Sequence, residues 1–317
     1  MADPTEHMEA ALREARRFEG RTDPNPPVGA AAVAADGRVL GVAAHERAGT
    51  AHAEVALIER CRKDGTLAEV DSLYVTLEPC NHTGRTPPCT DAIIASGIKK
   101  VFIGCGDPNP KVAGGGASAL RSHGISVELL QGDTRAACEK LIQPFAHWSR
   151  TGLPFVVVKT ALDPSGSMIP PAGAKTFTSQ ESLRFAHELR KRSGAILTGS
   201  GTVLADRPEF TVRHVPDHPA VRRWLVIMDR RGRVPNNYIL EAESRGFQVR
   251  VEQDLESAVK FLGRKGVLQV LVEAGPTLSK AVLQTSFWCR HVLITQGNPD
   301  RIQVHENEKV ISVQRHC

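Results

Sequence analysis

At 317 residues, with 41% apolar and 24% charged side chains, the chain fits two globular domains, each able to bury a core, and excludes extensive disorder or coiled coil. Its formal charge of +5 is uneven, residues 1–147 carrying −3 and the remainder +8, so anionic ligands suit the second half better. Seven cysteines, an odd number at irregular spacing, argue for metal-binding or spectator thiols in a reducing compartment rather than a disulfide framework.

Residues 6–17 place Met8, Ala11, Leu12 and Ala15 at helical spacing. Asp23-Pro24-Asn25-Pro26-Pro27 reads as a loop, because proline breaks a helix interior and removes ladder donors. Residues 30–34 and 39–43 flank Asp36-Gly37, a hairpin signal. A helix over 53–63, a strand over 73–77 and a helix over 89–96, stopped by Gly97, follow. A strand over 101–104, a helix over 117–123 and a strand over 126–130 complete a pattern that predicts helices packed on a mixed sheet. The polar, turn-rich stretch 147–152 then separates a first domain, 1–147, from a second, 153–317. The second half alternates again, with strands at 155–161, 195–198, 224–228 and 267–272 and helices at 180–191, 255–263 and 276–283. Residues 296–317 read as a polar tail. No apolar run approaches the roughly 18 residues that span a bilayer, and the first thirty residues lack the apolar stretch of an export signal, so a cytoplasmic protein is expected.

His52-Ala53-Glu54 opens one predicted helix, Pro79-Cys80 ends a predicted strand, and Pro88-Cys89 opens the next helix. One imidazole and two thiolates suit Zn²⁺, with the fourth tetrahedral position left for water. Glu54 sits near such a metal without ligating it and can carry a proton from water to a leaving amine. A histidine and two cysteines scattered by chance would be buried spectators; their placement at two helix starts and a strand end argues otherwise. Cys61, Cys105, Cys138, Cys289 and Cys317 have no such context and read as structural or spectator thiols. The H-x-E…P-C…C pattern is that of zinc deaminases, here with the cysteines stretched to C-x8-C.

That stretched loop, Thr76-Leu77-Glu78-Pro79-Cys80-Asn81-His82-Thr83-Gly84-Arg85-Thr86-Pro87-Pro88-Cys89, closely resembles the deaminase domain of the bifunctional riboflavin-pathway deaminase–reductase family. So do His52-Ala53-Glu54-Val55, Asp23-Pro24-Asn25-Pro26-Pro27-Val28-Gly29, His45-Glu46-Arg47-Ala48-Gly49 and Asp107-Pro108-Asn109-Pro110-Lys111-Val112. The resemblance implies a cytidine-deaminase-like three-layer fold and hydrolytic deamination of a diamino-(phosphoribosylamino)pyrimidine to the matching uracil. By position it implies ring contacts from Asn25 and His45, and contacts from His82 and Arg85 near the ribosyl phosphate. The side-chain chemistry agrees: an amide offers donor and acceptor to a pyrimidine edge, and a guanidinium offers a fork to phosphate. As alternatives, Asn25 is a turn residue between prolines and Arg85 a solvated loop cation.

The second half resembles the same family's reductase domain, which has a dihydrofolate-reductase-like α/β fold and uses NADPH. The resemblance rests on Lys159, Gly166, the run Ala195 to Pro208, Thr211-Val212-Arg213, and Glu273-Ala274-Gly275-Pro276-Thr277-Leu278. It implies that Lys159, Thr202, Asp206, Gly275, Pro276, Thr277 and Leu278 face NADPH, and that Arg190, Arg213 and Glu273 face the phosphosugar. A Gly-Pro-Thr turn before a helix would offer backbone N–H groups to phosphate. Three departures stand out. Asp163-Pro164-Ser165-Gly166-Ser167 lacks the usual aspartate and basic residue, Ala174 and Thr176 replace a serine and a tryptophan, and the chain ends soon after a predicted strand near 291–295.

The sequence therefore predicts a zinc deaminase of a phosphoribosylated pyrimidine, joined to a diverged, shortened reductase with weak NADPH turnover, in riboflavin synthesis or a branch from it. A fully bifunctional enzyme is the alternative, and a second domain serving only assembly or phosphosugar sensing is another. A homo-oligomer, dimer or tetramer, is expected by resemblance. A nucleic-acid deaminase or binder is disfavoured by the missing short C-x-x-C, the net acidic first half and only 5% aromatics.

Overall fold

The computed structural model describes residues 4–82, 87–109, 115–171, 173 and 176–311. The chain separates into two compact units, Met1–Arg150 and Thr151–Cys317. Among the described residues, no helix is long and apolar enough to cross a membrane.

The first unit runs α1 (Pro4–Arg16), β1 (Gly29–Ala34), β2 (Val39–Ala44), α2 (Ala53–Lys63), β3 (Val70–Leu77), α3 (Cys89–Ser96), β4 (Lys100–Cys105), α4 (Gly115–Ser122), β5 (Ser126–Leu129), α5 (Gly132–Leu141) and α6 (Gln143–Thr151). Its sheet has the order β2-β1-β3-β4-β5, antiparallel on either side of β1 and parallel from β3 onward. Alternation along β1 sorts the core into two layers. Ala30 and Ala32 pack with Leu57 and Ile58 of α2, Ile93 of α3 and Leu120 of α4. Ala31 and Val33 face Met8 and Leu12 of α1 and Leu141 of α5. Small residues fill β1 because α1 lies close: a Cβ on Gly29 would sit 2.0 Å from the Ala11 carbonyl oxygen. Residues 143–151 form helix α6, not the turn-rich linker expected; Ala146 and His147 are buried, and polar residues on either side leave no apolar repeat to mark the helix.

The second unit runs β6 (Phe155–Leu162), α7 (Gln180–Lys191), β7 (Ala195–Gly199), α8 (Ser200–Asp206), β8 (Trp224–Met228), α9 (Asn236–Ser244), β9 (Gln248–Glu252), α10 (Leu255–Arg264), β10 (Gln269–Glu273), α11 (Pro276–Leu283), β11 (Trp288–Thr295) and β12 (Arg301–Glu306). The seven strands are ordered β12-β11-β6-β10-β7-β8-β9, all neighbours parallel except β11 and β12. Val156, Val158 and Val272 pack against α10 and α11, whereas Phe155 and Val157 pack with Phe185 and Leu189 of α7. Tyr238 of α9 covers Leu225 and Ile227, its hydroxyl donating to the Pro208 carbonyl at 2.6 Å.

This sheet corrects the reading of the C-terminal segment. Residues 301–306, read as polar tail, form an antiparallel edge strand in register with β11 from Arg290↔Glu306 to Thr295↔Arg301. The strand escaped notice because it is an edge with five of six residues exposed, so no apolar alternation marks it.

Candidate active sites

In the first unit, helix α2 begins immediately after His52, whose extended backbone makes it the N-cap without a side-chain capping bond, so its ring is available for another partner. The parallel pair β3/β4 delivers Cys80 just beyond the carboxyl end of β3, and Pro88 caps α3 so that Cys89 is its first residue. His52 Nδ1 lies 3.2 Å from Cys89 Sγ and 3.6 Å from Cys80 Sγ, and the three donor atoms all lie within 4.8 Å of one another. Tetrahedral zinc, with Zn–N near 2.0–2.1 Å and Zn–S near 2.3 Å, requires N···S separations of about 3.5 Å, so these residues fit the ion. The Cys89 N–H, at the start of α3, donates to Cys80 Sγ at 3.4 Å. A hydrogen bond from the Cys89 thiol, helped by His52, holds the Cys80 thiol well down, and sharing with Cys80 pushes Cys89 up. The site thus carries thiolate character that a cation would complete.

Glu54 is 3% exposed, and burial pushes its carboxyl above the ordinary range while His52 and Cys89 lie beside it. His45 is also buried, and its bonding fixes its tautomer. Nδ1 lies 3.1 Å from the Ala51 carbonyl, which can only accept, so Nδ1 carries the proton and Nε2 accepts from Asn25 Nδ2 at 3.0 Å. Burial keeps the ring neutral. Asn25 Oδ1 is left as an acceptor. Asn25, His45, His52, Glu54, Cys80 and Cys89 are therefore linked by bonds or direct contacts, through Asn25–His45 and the His45–His52 ring pair at 5.3 Å. His82 is exposed, and Arg85 lies outside the described residues.

Glu78 was not singled out by sequence, although it stands inside the Thr76–Cys89 block. It is buried; Oε1 accepts from Ala117 N at 3.0 Å, near the start of α4, and Oε2 from Asp107 N at 3.4 Å. Gly116 lets α4 approach, since a Cβ there would sit 1.9 Å from the Pro79 carbonyl oxygen. The residues just before Cys80 are thereby tied to the loop after β4 and to α4.

In the second unit, Lys159 of β6 and Glu273 of β10 are register partners on adjacent parallel strands, with Nζ 3.2 Å from Oε1. Arg190 of α7 grips the same carboxylate, Nε to Oε2 at 2.5 Å and Nη2 to Oε1 at 3.3 Å, and Nη1 donates to the Thr211 carbonyl at 3.0 Å. Burial alone would raise Glu273; the Arg190 and Lys159 charges outweigh it and hold the carboxyl down to about 2. Arg213 is exposed and pairs with Glu209 at 3.0 Å. Asp206 ends α8, exposed. The Gly275 turn differs from expectation. Its N–H is engaged by Thr202 Oγ1 at 3.0 Å and Pro276 has none, so the donors at the start of α11 are those of Thr277 and Leu278. In the loop after Lys159, Asp163 Oδ1 accepts from the backbone N–H of Ser165 and of Ser167, organising a turn around Gly166. Ala174 lies outside the described residues, and Thr176 bonds Thr178.

Residues 1–105 match the family model of the cytidine and deoxycytidylate deaminase zinc-binding region, and residues 154–288 that of the RibD C-terminal domain. The riboflavin biosynthesis protein RibD of Aquifex aeolicus is 36% identical over 310 residues, 90% of this chain and 85% of that protein. RibD of Escherichia coli strain K12 is 35% identical over 311 residues, 88% and 83% respectively. Among solved structures, a diaminohydroxyphosphoribosylaminopyrimidine deaminase/5-amino-6-(5-phosphoribosylamino)uracil reductase from Thermotoga maritima has a TM-score of 0.79 at 33% identity, covering 92% of this chain and 86% of its own. Acinetobacter baumannii RibD gives 0.77 at 32% identity with the same coverage. Fold and site together define a zinc-dependent deaminase of the cytidine deaminase kind, followed by an α/β reductase domain. The chain belongs to the RibD family of bifunctional riboflavin-biosynthesis enzymes.

The metal assignment has a direct check. Cys80→Ser should lose most of the roughly one zinc per chain, whereas Cys138→Ser, in the core beside Gly104, should retain it. Equal zinc by elemental analysis in the two purified variants would remove the assignment.

Proposed function

We propose that the chain is a fully bifunctional enzyme, with a deaminase domain spanning 1–147 and a reductase domain spanning 153–317. The first hydrolyses 2,5-diamino-6-(5-phosphoribosylamino)pyrimidin-4-one to 5-amino-6-(5-phosphoribosylamino)uracil and ammonia. The second reduces the ribosyl chain of that product to ribityl with NADPH. The observation that carries this reading is the match of residues 154–288 to the RibD C-terminal domain, folded around a seven-stranded sheet. That match favours the bifunctional alternative over the expectation of weak NADPH turnover.

In the deaminase, His52 Nδ1, Cys80 Sγ and Cys89 Sγ would hold zinc, which would supply the Lewis acidity that makes water nucleophilic near neutral pH. Glu54 takes a proton from the attacking water and returns it to the departing amine. Burial raises the proton affinity of its carboxyl. The neutral His45 orients Asn25, whose Oδ1 accepts from the pyrimidine edge. Arg85 and His82 meet the ribosyl phosphate region. In the reductase, Thr202, Asp206 and the turn 275–278 face NADPH, which supplies hydride when bound. Lys159, Arg190 and Glu273 form a fixed charged platform, with Arg190 and Arg213 meeting the anionic sugar.

One experiment separates the halves: the phosphoribosyl diaminopyrimidine is supplied with and without NADPH, and ammonia and NADPH are followed independently. Ammonia release in both cases, with NADPH oxidation at about 1 s⁻¹ or faster, is expected. Ammonia without NADPH oxidation would return the protein to a deaminase with an idle second domain.

A further inference from the structure

His187 lies on α7, one turn before Arg190, and is 3% exposed. Its Nδ1 is 2.8 Å from the Arg213 backbone nitrogen and 3.4 Å from that of His214. A peptide N–H can only donate, so Nδ1 accepts and the proton of the neutral ring resides on Nε2. Nε2 faces Arg190 Nη1 at 3.3 Å, but both are then donors, and Nη1 turns instead to the Thr211 carbonyl. Helix α7 thus holds the 211–214 segment twice: Arg190 takes a carbonyl and His187 takes N–H groups. Protonation of His187 would destroy its acceptor and set a second cation against Arg190. Burial first, then the charges of Arg190, His214 and Arg213, opposed by Glu273, hold His187 down to about 4, so the acceptor is present at neutral pH.

We propose that His187 is a positioning residue for the phosphosugar end of the reductase site, its Nδ1 fixing the Thr211–Arg213 segment relative to Arg190. The inference rests on the reading that Arg190 and Arg213 meet the sugar phosphate. Its signature is the position of the acceptor within the side chain. Asparagine places its amide oxygen where Nδ1 stood; glutamine reaches to the place of Nε2, and leucine offers no acceptor.

The test compares wild type, His187→Leu, His187→Gln and His187→Asn as full-length proteins. KM and kcat for NADPH oxidation with the deaminated pyrimidine are measured, together with the dissociation constant for ribose 5-phosphate. The Leu and Gln variants should raise KM and weaken ribose 5-phosphate binding about tenfold, with kcat within about twofold, while Asn restores both to within about threefold. Ammonia release should not change. A Leu variant with unaltered KM, an Asn variant as impaired as Leu, or a loss confined to kcat or melting temperature would overturn the proposal. A wild type that binds ribose 5-phosphate in a His187-dependent way without oxidising NADPH would sink the reductase reading and leave the positioning role intact. A wild type that does neither removes both.

Discussion

Replacing Glu54 by glutamine should reduce ammonia release by roughly 10²–10⁴-fold, the range a positioned general acid–base contributes, while zinc content stays at the wild-type level. The amide has nearly the carboxylate's shape and fits the same buried slot, but cannot accept a proton from water or return one to an amine. Two features of the site sharpen this expectation. Glu54 is almost fully enclosed, so bulk water does not readily replace it, and it lies beside His52 and Cys89 without being one of the three gathered donor atoms. The competing account makes Glu54 an acidic residue in the first turn of α2, favoured only by the helix dipole and worth about 0.3–1 kcal/mol. A solvated first-turn carboxylate predicts near-normal ammonia release by the Gln variant and a small change in melting temperature. Ammonia assay and elemental analysis on the same preparation separate the two accounts.

The deaminase centre was legible in the sequence because its parts are local and punctuated. His52 stands at a helix start, Pro79 and Pro88 mark the approach to each cysteine, and Gly97 ends α3 with a left-handed turn. What sequence could not show was the long-range bonding. The Asn25–His45 pair and the Glu78 carboxylate that ties β3 to α4 depend on strand pairing across 20 and 39 residues. In the second unit the buried strands β6 and β10 declared themselves as continuous apolar runs, as parallel central strands do. The periphery did not. Edge strands β9 and β12 carry mostly partly exposed or exposed residues, and the short helices α8 and α9 carry no signal strong enough to mark them in the sequence. With its side chains mostly exposed, β12 carries no alternation that separates it from a polar tail. His187 escaped because a histidine on an amphipathic helix reads as core or surface until the segment it holds, 26 residues away, is seen.

Glu273→Gln should destabilise the second unit by about 3–5 kcal/mol, because it leaves Arg190 and Lys159 mostly buried beside a neutral partner. Lys159 retains some solvent access, which places the expectation at the lower end, a fall of roughly 6–12 °C in melting temperature for a unit of this size. The pH dependence provides an independent check on the same interaction. Glu273 is held at about 2 in the folded chain against an ordinary value of 4.5. Above the unfolded value both states are ionised and the ion pairs contribute in full. As pH falls from about 4.5 towards 2, the unfolded chain takes up a proton that the folded chain refuses, and the contribution is progressively lost. That difference corresponds to about 3 kcal/mol, of the same order as the mutational cost. Calorimetric melting of wild type and Glu273→Gln should therefore differ most at neutral pH, draw together as pH falls below about 4.5, and converge near pH 2. Parallel curves across that window, or melting temperatures within about 2 °C at pH 7, would show that the Lys159–Glu273–Arg190 platform contributes little to folding. Its three residues would then be held in place by the sheet and α7 alone, and their charges would have to be explained entirely by the ligand they receive.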